Sequence, residues 1–545
     1  MTPIAKDYVL TPSQDDGAAQ QMDAVVAAIG GDLRCAAEPG TEIRRCFYDS
    51  FEWSLYLAGA ALEEVTADGR RELLWQDLAN DAAVLAREAV AAEPGLADEL
   101  PPGPVRERLA PVLGVRRLLP MAVLVGTRRV LRVLNEDDKT VARILLEQLR
   151  VPADEAHGEV LLPLRLELTG VRGYPRELED ADLRLKALLA LEPARAPLFL
   201  SALAAAGRRP GGYSSKLDYH LDPAQRADAA TRTILRGLLD TLEANIDGTR
   251  RNLDPEFLHD LRVATRRTRS ALGQIKGVLP QASVDAFKAH FAWLQQVTSP
   301  VRDLDVYLLA FPALKADLPV LLRDDLEPLK DWLLARYAAE QRILADALAG
   351  ERFVALLKDW RAFLDAPSPN VADVGAKDAA TPIKTVADKR VWRMFKRVRQ
   401  EGRAITDASP PAELHELRKS CKKLRYLMEF FQSLYPDDDV KGLIKQAKVL
   451  LDNLGGFQDL SVQATHLRET AAAMQAEGAA SLGTLLSMGA LIGHMLDQQQ
   501  QARRDFARIF AGFDTDENAA VFERLFARGR ARPDEPESKP GEAGT

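Results

Sequence analysis

Leu258-His259-Asp260-Leu261-Arg262-Val263-Ala264-Thr265-Arg266-Arg267-Thr268-Arg269 contains neither Gly nor Pro and reads as one helix. At about 100° per residue, His259, Arg262, Arg266 and Arg269 fall within about 80° of one another. They form a narrow cationic stripe roughly 15 Å long. Leu258, Leu261 and Thr265 line the adjoining side, and Thr268 and Leu272 continue it toward a core. Like charges at i,i+4 repel, so a helix that keeps such a stripe is a candidate anion site.

The pattern returns in Leu414-His415-Glu416-Leu417-Arg418-Lys419-Ser420-Cys421-Lys422-Lys423-Leu424-Arg425, at an offset of 156 positions from His259 to His415. Arg262 maps to Arg418, Arg266 to Lys422, Arg267 to Lys423, Arg269 to Arg425 and Pro280 to Pro436. The register holds farther on, taking Leu294 to Leu450, Asp303 to Asp459 and Val306 to Val462. This is an internal duplication with a period too long for a simple solenoid.

The paired stripes, with Val301-Arg302-Asp303-Leu304-Asp305-Val306 and Leu454-Gly455-Gly456-Phe457-Gln458-Asp459-Leu460, resemble the CHAD family, the conserved-histidine α-helical domain. The resemblance covers roughly residues 222–520. It implies two helical bundles related by pseudo-twofold symmetry, a basic channel between them, and inorganic polyphosphate as the ligand. On that reading the polyphosphate-binding residues are His259, Arg262, Arg266, Arg267, Arg269, His415, Arg418, Lys419, Lys422, Lys423 and Arg425. One-sided runs on other helices add Arg390, Arg393, Arg397, Lys445 and Lys448, with Lys396, Lys441, Arg232 and Arg236 in support. His259 and His415 are read as phosphate contacts, with backbone tethering the rival reading. Asp303 and Asp305 are read as tethers for basic side chains, and no metal or cofactor is expected.

Residues 1–205 differ in texture. Arg44 to Ser50, Trp53 to Leu62, Arg128 to Leu134 and Leu164 to Thr169 alternate like strands, whereas Lys139 to Leu149 and Glu177 to Leu191 read as helices. The expectation is an α+β domain built on an antiparallel sheet or barrel. Tyr48-Asp49-Ser50, Leu55-x-x-x-Gly59-x-x-Leu62 and Leu166-Glu167-Leu168-x-Gly170 resemble the CYTH family of triphosphate-processing barrels. That resemblance implies a Glu-x-Glu-x-Lys metal and phosphate signature. Aligned on Lys6, the chain has Thr2 and Ile4 in place of the carboxylates, and Glu63 and Glu64 where arginines are expected. Thr and Ile cannot supply anionic oxygen ligands to a divalent metal. The domain therefore reads as a catalytically decayed barrel, either vestigial or partner-binding.

The expected boundaries are a CYTH-like domain at 1–205, a linker at 206–221, helical repeats at 222–365 and 384–520 with a linker at 366–383, and a disordered tail at 530–545. The 545 residues are 47% hydrophobic and 28% charged, with a net charge of −8. Such a balance argues against a general nucleic-acid coat, though not against a local basic channel. The basic stripes also lack the interleaved aromatics of single-strand binders. Three cysteines fit a reducing compartment. No apolar leader opens the chain, so a cytoplasmic protein associated with polyphosphate granules is expected. Walker A, His-Glu-x-x-His and Gly-x-Ser-x-Gly signatures are missing. A non-enzymatic polyphosphate binder leads, ahead of a metal-dependent triphosphatase or polyphosphatase and a nucleic-acid module.

Overall fold

Two reciprocal pairs of backbone hydrogen bonds reveal how the helical half is built. Ala227 N–H donates to the Thr381 carbonyl and Ile383 N–H to the Gln225 carbonyl, both at 2.9 Å. Asp228 N–H donates to Ala379 at 3.1 Å and Lys384 N–H to Pro223 at 3.3 Å. A shift of 156 positions exchanges the members of each pair, and the bridge between them joins Arg226 to its own repeat mate Pro382. A local pseudo-twofold axis therefore passes through this contact. The computed structural model describes residues 5–10, 18–80, 82–153, 158–367 and 376–527. The chain divides into two units, Met1–Ser214 and Ser215–Thr545.

The first unit is an antiparallel sheet of eleven strands: β1 (Ala5–Leu10), β2 (Cys35–Ala37), β3 (Thr41–Asp49), β4 (Ala60–Ala67), β5 (Arg70–Asp77), β6 (Ala83–Val90), β7 (Leu119–Leu134), β8 (Thr140–Val151), β9 (Val160–Leu161), β10 (Leu164–Gly170) and β11 (Glu192–Pro193). Its main path runs β11-β1-β10-β8-β7-β3-β4-β5-β6, and no pairing among the described residues joins β6 back to the other edge. Helices α1 (Ala18–Asp32), α2 (Ser54–Leu57), α3 (Pro104–Leu113), α4 (Pro175–Leu188) and α5 (Leu198–Ala205) complete it. One core joins Ile29 of α1 and Leu185 of α4 to Ile144, Leu146 and Leu166 of the sheet.

Two local expectations are corrected. The stretch from Lys139 to Leu149, read as a helix, contributes to strand β8. Paired to both β7 and β10, it is buried on both faces, including adjacent Leu146, Glu147, Gln148 and Leu149. The two-residue alternation that marks a half-buried strand is therefore lost, and Leu, Glu and Gln lend it a helical composition. The stretch Trp53 to Leu62 contains the helical turn α2 before β4 starts. The Asp49 carboxylate organises that turn by accepting from the backbone N–H groups of Ser50, Leu55 and Tyr56.

In the second unit the first copy comprises α6 (Ala227–Ala244), α7 (Ile246–Arg250), α8 (Pro255–Gln274), α9 (Gln281–Val297), α10 (Ser299–Asp317), α11 (Glu327–Ala349) and α12 (Glu351–Asp365). The second has α13 (Ile383–Ala404), α14 (Pro411–Phe431), α15 (Asp437–Ala476), α16 (Leu482–Phe513) and α17 (Asp516–Phe526). The offset that aligns the stripes also aligns the starts of α6 with α13, α8 with α14, and α9 with α15. The copies are not separate bundles. One core unites Leu235, Leu261, Phe291 and Trp360 with Phe395, Leu417, Phe430 and Leu450. Another joins Leu304, Tyr307 and Phe311 of α10 to Ala464, Leu467 and Met474 of α15 and Met488 of α16.

Symmetry breaks where the first copy has Pro300. Proline has no N–H to continue the helical ladder, and the rod divides into α9 and α10, with Thr298 between them. The mate of Pro300 is Gly456, and α15 runs unbroken for 40 residues. Residues 376–382, within the span read as a linker, pack on the first copy: Ala379 is buried and Asp378 N–H donates to the Gly277 carbonyl at 2.7 Å. Residues 368–375, the 530–545 tail, Thr2 and Ile4 lie outside the described residues.

Candidate functional site: a cationic cavity between the two stripes

Helix α8 starts firmly. The Asp254 side chain accepts from Glu256 N–H at 3.0 Å and Phe257 N–H at 3.4 Å, and Pro255 occupies the first turn. A cap of this kind stabilises a helix by about 1 kcal/mol. Leu258, Leu261, Thr265, Thr268 and Leu272 are buried, which turns the cationic stripe away from the core. α14 behaves alike through Leu414, Leu417, Cys421 and Leu424, and packs against α8.

Between the stripes lies a cavity of about 760 Å³. His259, Arg262 and Arg266 of α8 and Arg418 and Lys422 of α14 line it, with Arg302, Asp303 and Tyr307 of α10 and Asp459, Gln463, His466 and Glu469 of α15. Repeat mates do unequal work. Arg262 donates to the Gln295 carbonyl at 3.0 Å, Thr298 Oγ1 at 2.7 Å and Ser299 Oγ at 3.1 Å, so it fastens the helix break. Burial, and then the charge of Arg266, push its pKa down to about 10. Its mate Arg418 instead donates to both oxygens of Asp459, at 2.9 and 3.2 Å.

Arg266 and Lys422 are mates as well. Among the described residues neither has a hydrogen-bonding or ion-pairing partner. Burial and then repulsion by Arg418 and Arg266 lower the Lys422 pKa to about 8, with Asp459 pulling the other way. Arg266 acts on Lys422 from across the repeat boundary, so the two stripes share one electrostatic environment. Arg302 Nη1 is buried without a hydrogen-bond partner and lies 4.0 Å from the Asp305 carboxylate. Burial raises Asp305 to about 6, against the nearby charge of Arg302.

The remaining predicted residues stand outside the cavity lining. His415 Nδ1 is 3.2 Å from Gln458 Oε1. Arg267 donates to the Ser215 carbonyl at 3.1 Å and to Glu429 at 3.2 Å. Arg425 pairs with Glu429 at 3.5 Å, Lys419 with Glu416 at 2.7 Å and Arg397 with Glu401 at 2.6 Å. Arg390 donates to the Lys276 carbonyl and lies 3.8 Å from Asp378. Arg269, Arg393, Lys445 and Lys448 are exposed, and Lys423 is half-buried. Arg232 and Arg236, offered as support for the channel, are corrected: both donate to the Leu364 carbonyl and so cap the end of α12.

Sequence reading missed several lining residues. Arg302 and Asp303 lay inside a quoted motif and could have been found. His466 and Glu469 carry no repeat signal, because their mates are Ala310 and Ala313.

The sheet treats charge in the opposite way. Arg45 donates to Glu63 at 2.7 Å and Glu147 at 2.9 Å, and Arg128 donates to Glu147 at 2.8 Å. Gln76 Nε2 donates to the other Glu63 oxygen at 2.7 Å. Burial disfavours the charge on Arg45, but Glu63 and Glu147 outweigh it and raise its pKa. On the other face Arg44 reaches Glu64 at 3.2 Å, and Arg71 lies 3.6 Å from it. Lys6 donates to Asp182 at 2.7 Å. Burial works against the Asp182 carboxylate, but Lys6, Tyr8 and Lys186 outweigh it and hold its pKa near about 2. Among the described residues no group of three or more His, Cys, Asp or Glu is placed to hold a metal ion.

No curated protein matches the sequence. Among solved structures, the chain is similar to the CHAD domain from the plant Ricinus communis, at 23% identity and a TM-score of 0.45, covering 55% of this chain and 94% of that one. It is similar to PptA from Streptomyces chartreusis at 16% identity and a TM-score of 0.40, covering 52% and 99%. A Hippeastrum protein, HpAC1, described as having a dominant triphosphatase activity, matches at 14% identity and a TM-score of 0.27, covering 39% and 100%. No described helix is long and apolar enough to cross a membrane. The sequence over residues 233–468 matches the CHAD domain family, a span that runs from α6 through both stripes into α15, and the helical unit of this chain carries a CHAD domain.

Proposed function

We propose that the helical unit binds inorganic polyphosphate in the cavity between the stripes, without chemical turnover, and that this binding associates the protein with polyphosphate granules. The observation that carries the reading is the pairing of Arg266 with its repeat mate Lys422 on one cavity, both without acidic partners among the described residues. Unmatched cations in a recess focus the field on an anionic polymer. Arginine offers planar two-pronged contacts to phosphate and lysine a mobile point charge, which suits a chain whose phosphates need not stop at fixed positions.

The sheet unit is, on this reading, a module without hydrolytic activity. Arg44, Arg45 and Arg128 are already paired with carboxylates, and Lys6, which the CYTH-like alignment assigns to phosphate, is committed to Asp182. Titration of the full chain with long-chain polyphosphate at several salt concentrations tests the proposal. Affinity should fall steeply as salt rises, because binding releases the counterions of the polymer. A flat response would reject it. Competition with a long oligonucleotide separates it from nucleic-acid binding, and phosphate release from tripolyphosphate with Mg²⁺ or Mn²⁺ would restore the enzymatic alternative.

A further inference from the structure

Lys422 is the one lysine lining the cavity among the described residues. Most other lysines of the unit are tied down, as Lys384 is to Asp388 at 2.6 Å and Lys315 to Glu327 at 2.6 Å, or stand in solvent like Lys445 and Lys448, and the half-buried Lys423 lies outside the cavity lining. Lys422 is half-buried and unpartnered. The charges that bear on it are Arg418 and Arg425 of its own helix, Arg266 of α8 and Asp459 of α15. Asp459 is committed to Arg418, and no group on α13, the other long helix packed on α14, bears on Lys422 as strongly as these four. Burial in a partly dry wall and three neighbouring cations disfavour the ammonium form, so Lys422 presents more free amine near neutral pH than a solvent-exposed lysine does. The same cations attract anions to the place where that amine points.

We propose that Lys422 is a covalent acylation site for small acyl phosphates, which the cavity captures by their phosphate group. The amine lone pair attacks the carbonyl carbon of the mixed anhydride. A C–N bond forms as the C–O bond to phosphorus breaks. Inorganic phosphate departs with one nitrogen proton, and any proton of the starting ammonium goes to solvent. The reagent carries its own activated bond, so no further co-reactant enters. The amide product is neutral, and the cavity loses one cation. Acylation thereby weakens polyphosphate capture, a consequence that rests on the function proposed above, whereas the acylation itself does not.

The test uses the full chain and acetyl phosphate, with peptide mass spectrometry following Lys422, Lys445 and Lys448 in one time course. Lys422 should be acetylated faster than the two solvent-exposed lysines by roughly tenfold near neutral pH, as its larger amine fraction and the anion-attracting wall require. Pyrophosphate should protect Lys422 and leave the other two unchanged. Arg266→Gln should slow Lys422 alone, since it removes both an anchoring charge and a repulsive neighbour. Equal rates at Lys422 and Lys445, or failure of pyrophosphate to protect the wild-type chain, would overturn the proposal without recourse to a variant. Selective acetylation that leaves polyphosphate affinity unchanged would uphold the acylation site and count against the polyphosphate role of this wall.

Discussion

The arginine network of the sheet and the cationic wall of the helical cavity differ in how completely their charges are matched. In the sheet, Arg45 and Arg128 meet Glu63 and Glu147, and nearby Arg165 lies 3.8 Å from Asp7. Those carboxylates offset the positive charge of the arginines they meet. In the helical cavity Arg266 and Lys422 are left unmatched, and Lys422 bears a lowered pKa as the cost. A buried charge left without its partner destabilises a fold. On the function proposed above, a bound polyanion supplies the counter-charge that Arg266 and Lys422 lack.

The comparison breaks most readily in the sheet. Glu147→Gln should destabilise the first unit by about 3 kcal/mol, because it leaves the largely buried Arg45 and the half-buried Arg128 with too little negative charge. A melt of the full chain with an unchanged first-unit transition would mean that the network is not holding the sheet. On the helical side, Arg266→Glu should weaken long-chain polyphosphate binding by more than tenfold, since repulsion replaces attraction within a Debye length of about 8 Å at physiological salt. Lys422→Glu should act alike, and the double variant should fall short of additivity if both face one ligand. Calorimetric titration of the four proteins checks this, and strict additivity would split the cavity into two independent sites.

Smaller effects sharpen the contrast. Asp459→Asn should tighten binding by about two- to fivefold at low salt, because Arg418 then joins the unmatched cations. A loss of affinity would show that Asp459 aims Arg418 instead of occupying it. Lys422→Met tests the cost of the lowered pKa. Burial and the cations beside it push the lysine from its ordinary 10.5 down to about 8 in the folded chain. Between those values the unfolded chain binds more protons, so wild-type stability rises with pH. The methionine variant lacks that rise, and its advantage in Tm below pH 8 should shrink toward pH 10.5. Arg397→Gln, at an exposed i,i+4 pair with Glu401, should change neither binding nor melting appreciably.

Much of this could be read in the sequence, for physical reasons. A helix repeats its faces by arithmetic, so two stripes in register announce a duplication and a shared face of charge. Pro300, opposite Gly456, marks where the first rod divides and the second runs on. What remained hidden depended on partners from distant parts of the chain. Arg267 belongs to the same cationic run as Arg266, yet its guanidinium reaches Ser215 and Glu429. Arg232 shows the periodicity of a channel cation and is a cap on α12. β8 lost its alternation because side chains on both of its faces are buried, Leu146 in one core and Leu149 in another.

The reciprocal bonds around Arg226 and Pro382 bear on how this protein can be made. They tie positions 156 residues apart, and closing so long a span costs conformational entropy before any contact rewards it. Helices of the first copy leave the ribosome with much of their apolar surface still waiting for Phe395, Leu417 and Phe430. A chain interrupted within the second copy would be left with an exposed half-core, not a smaller working domain. Each copy therefore depends on the other for its interior, and the pair folds as one unit.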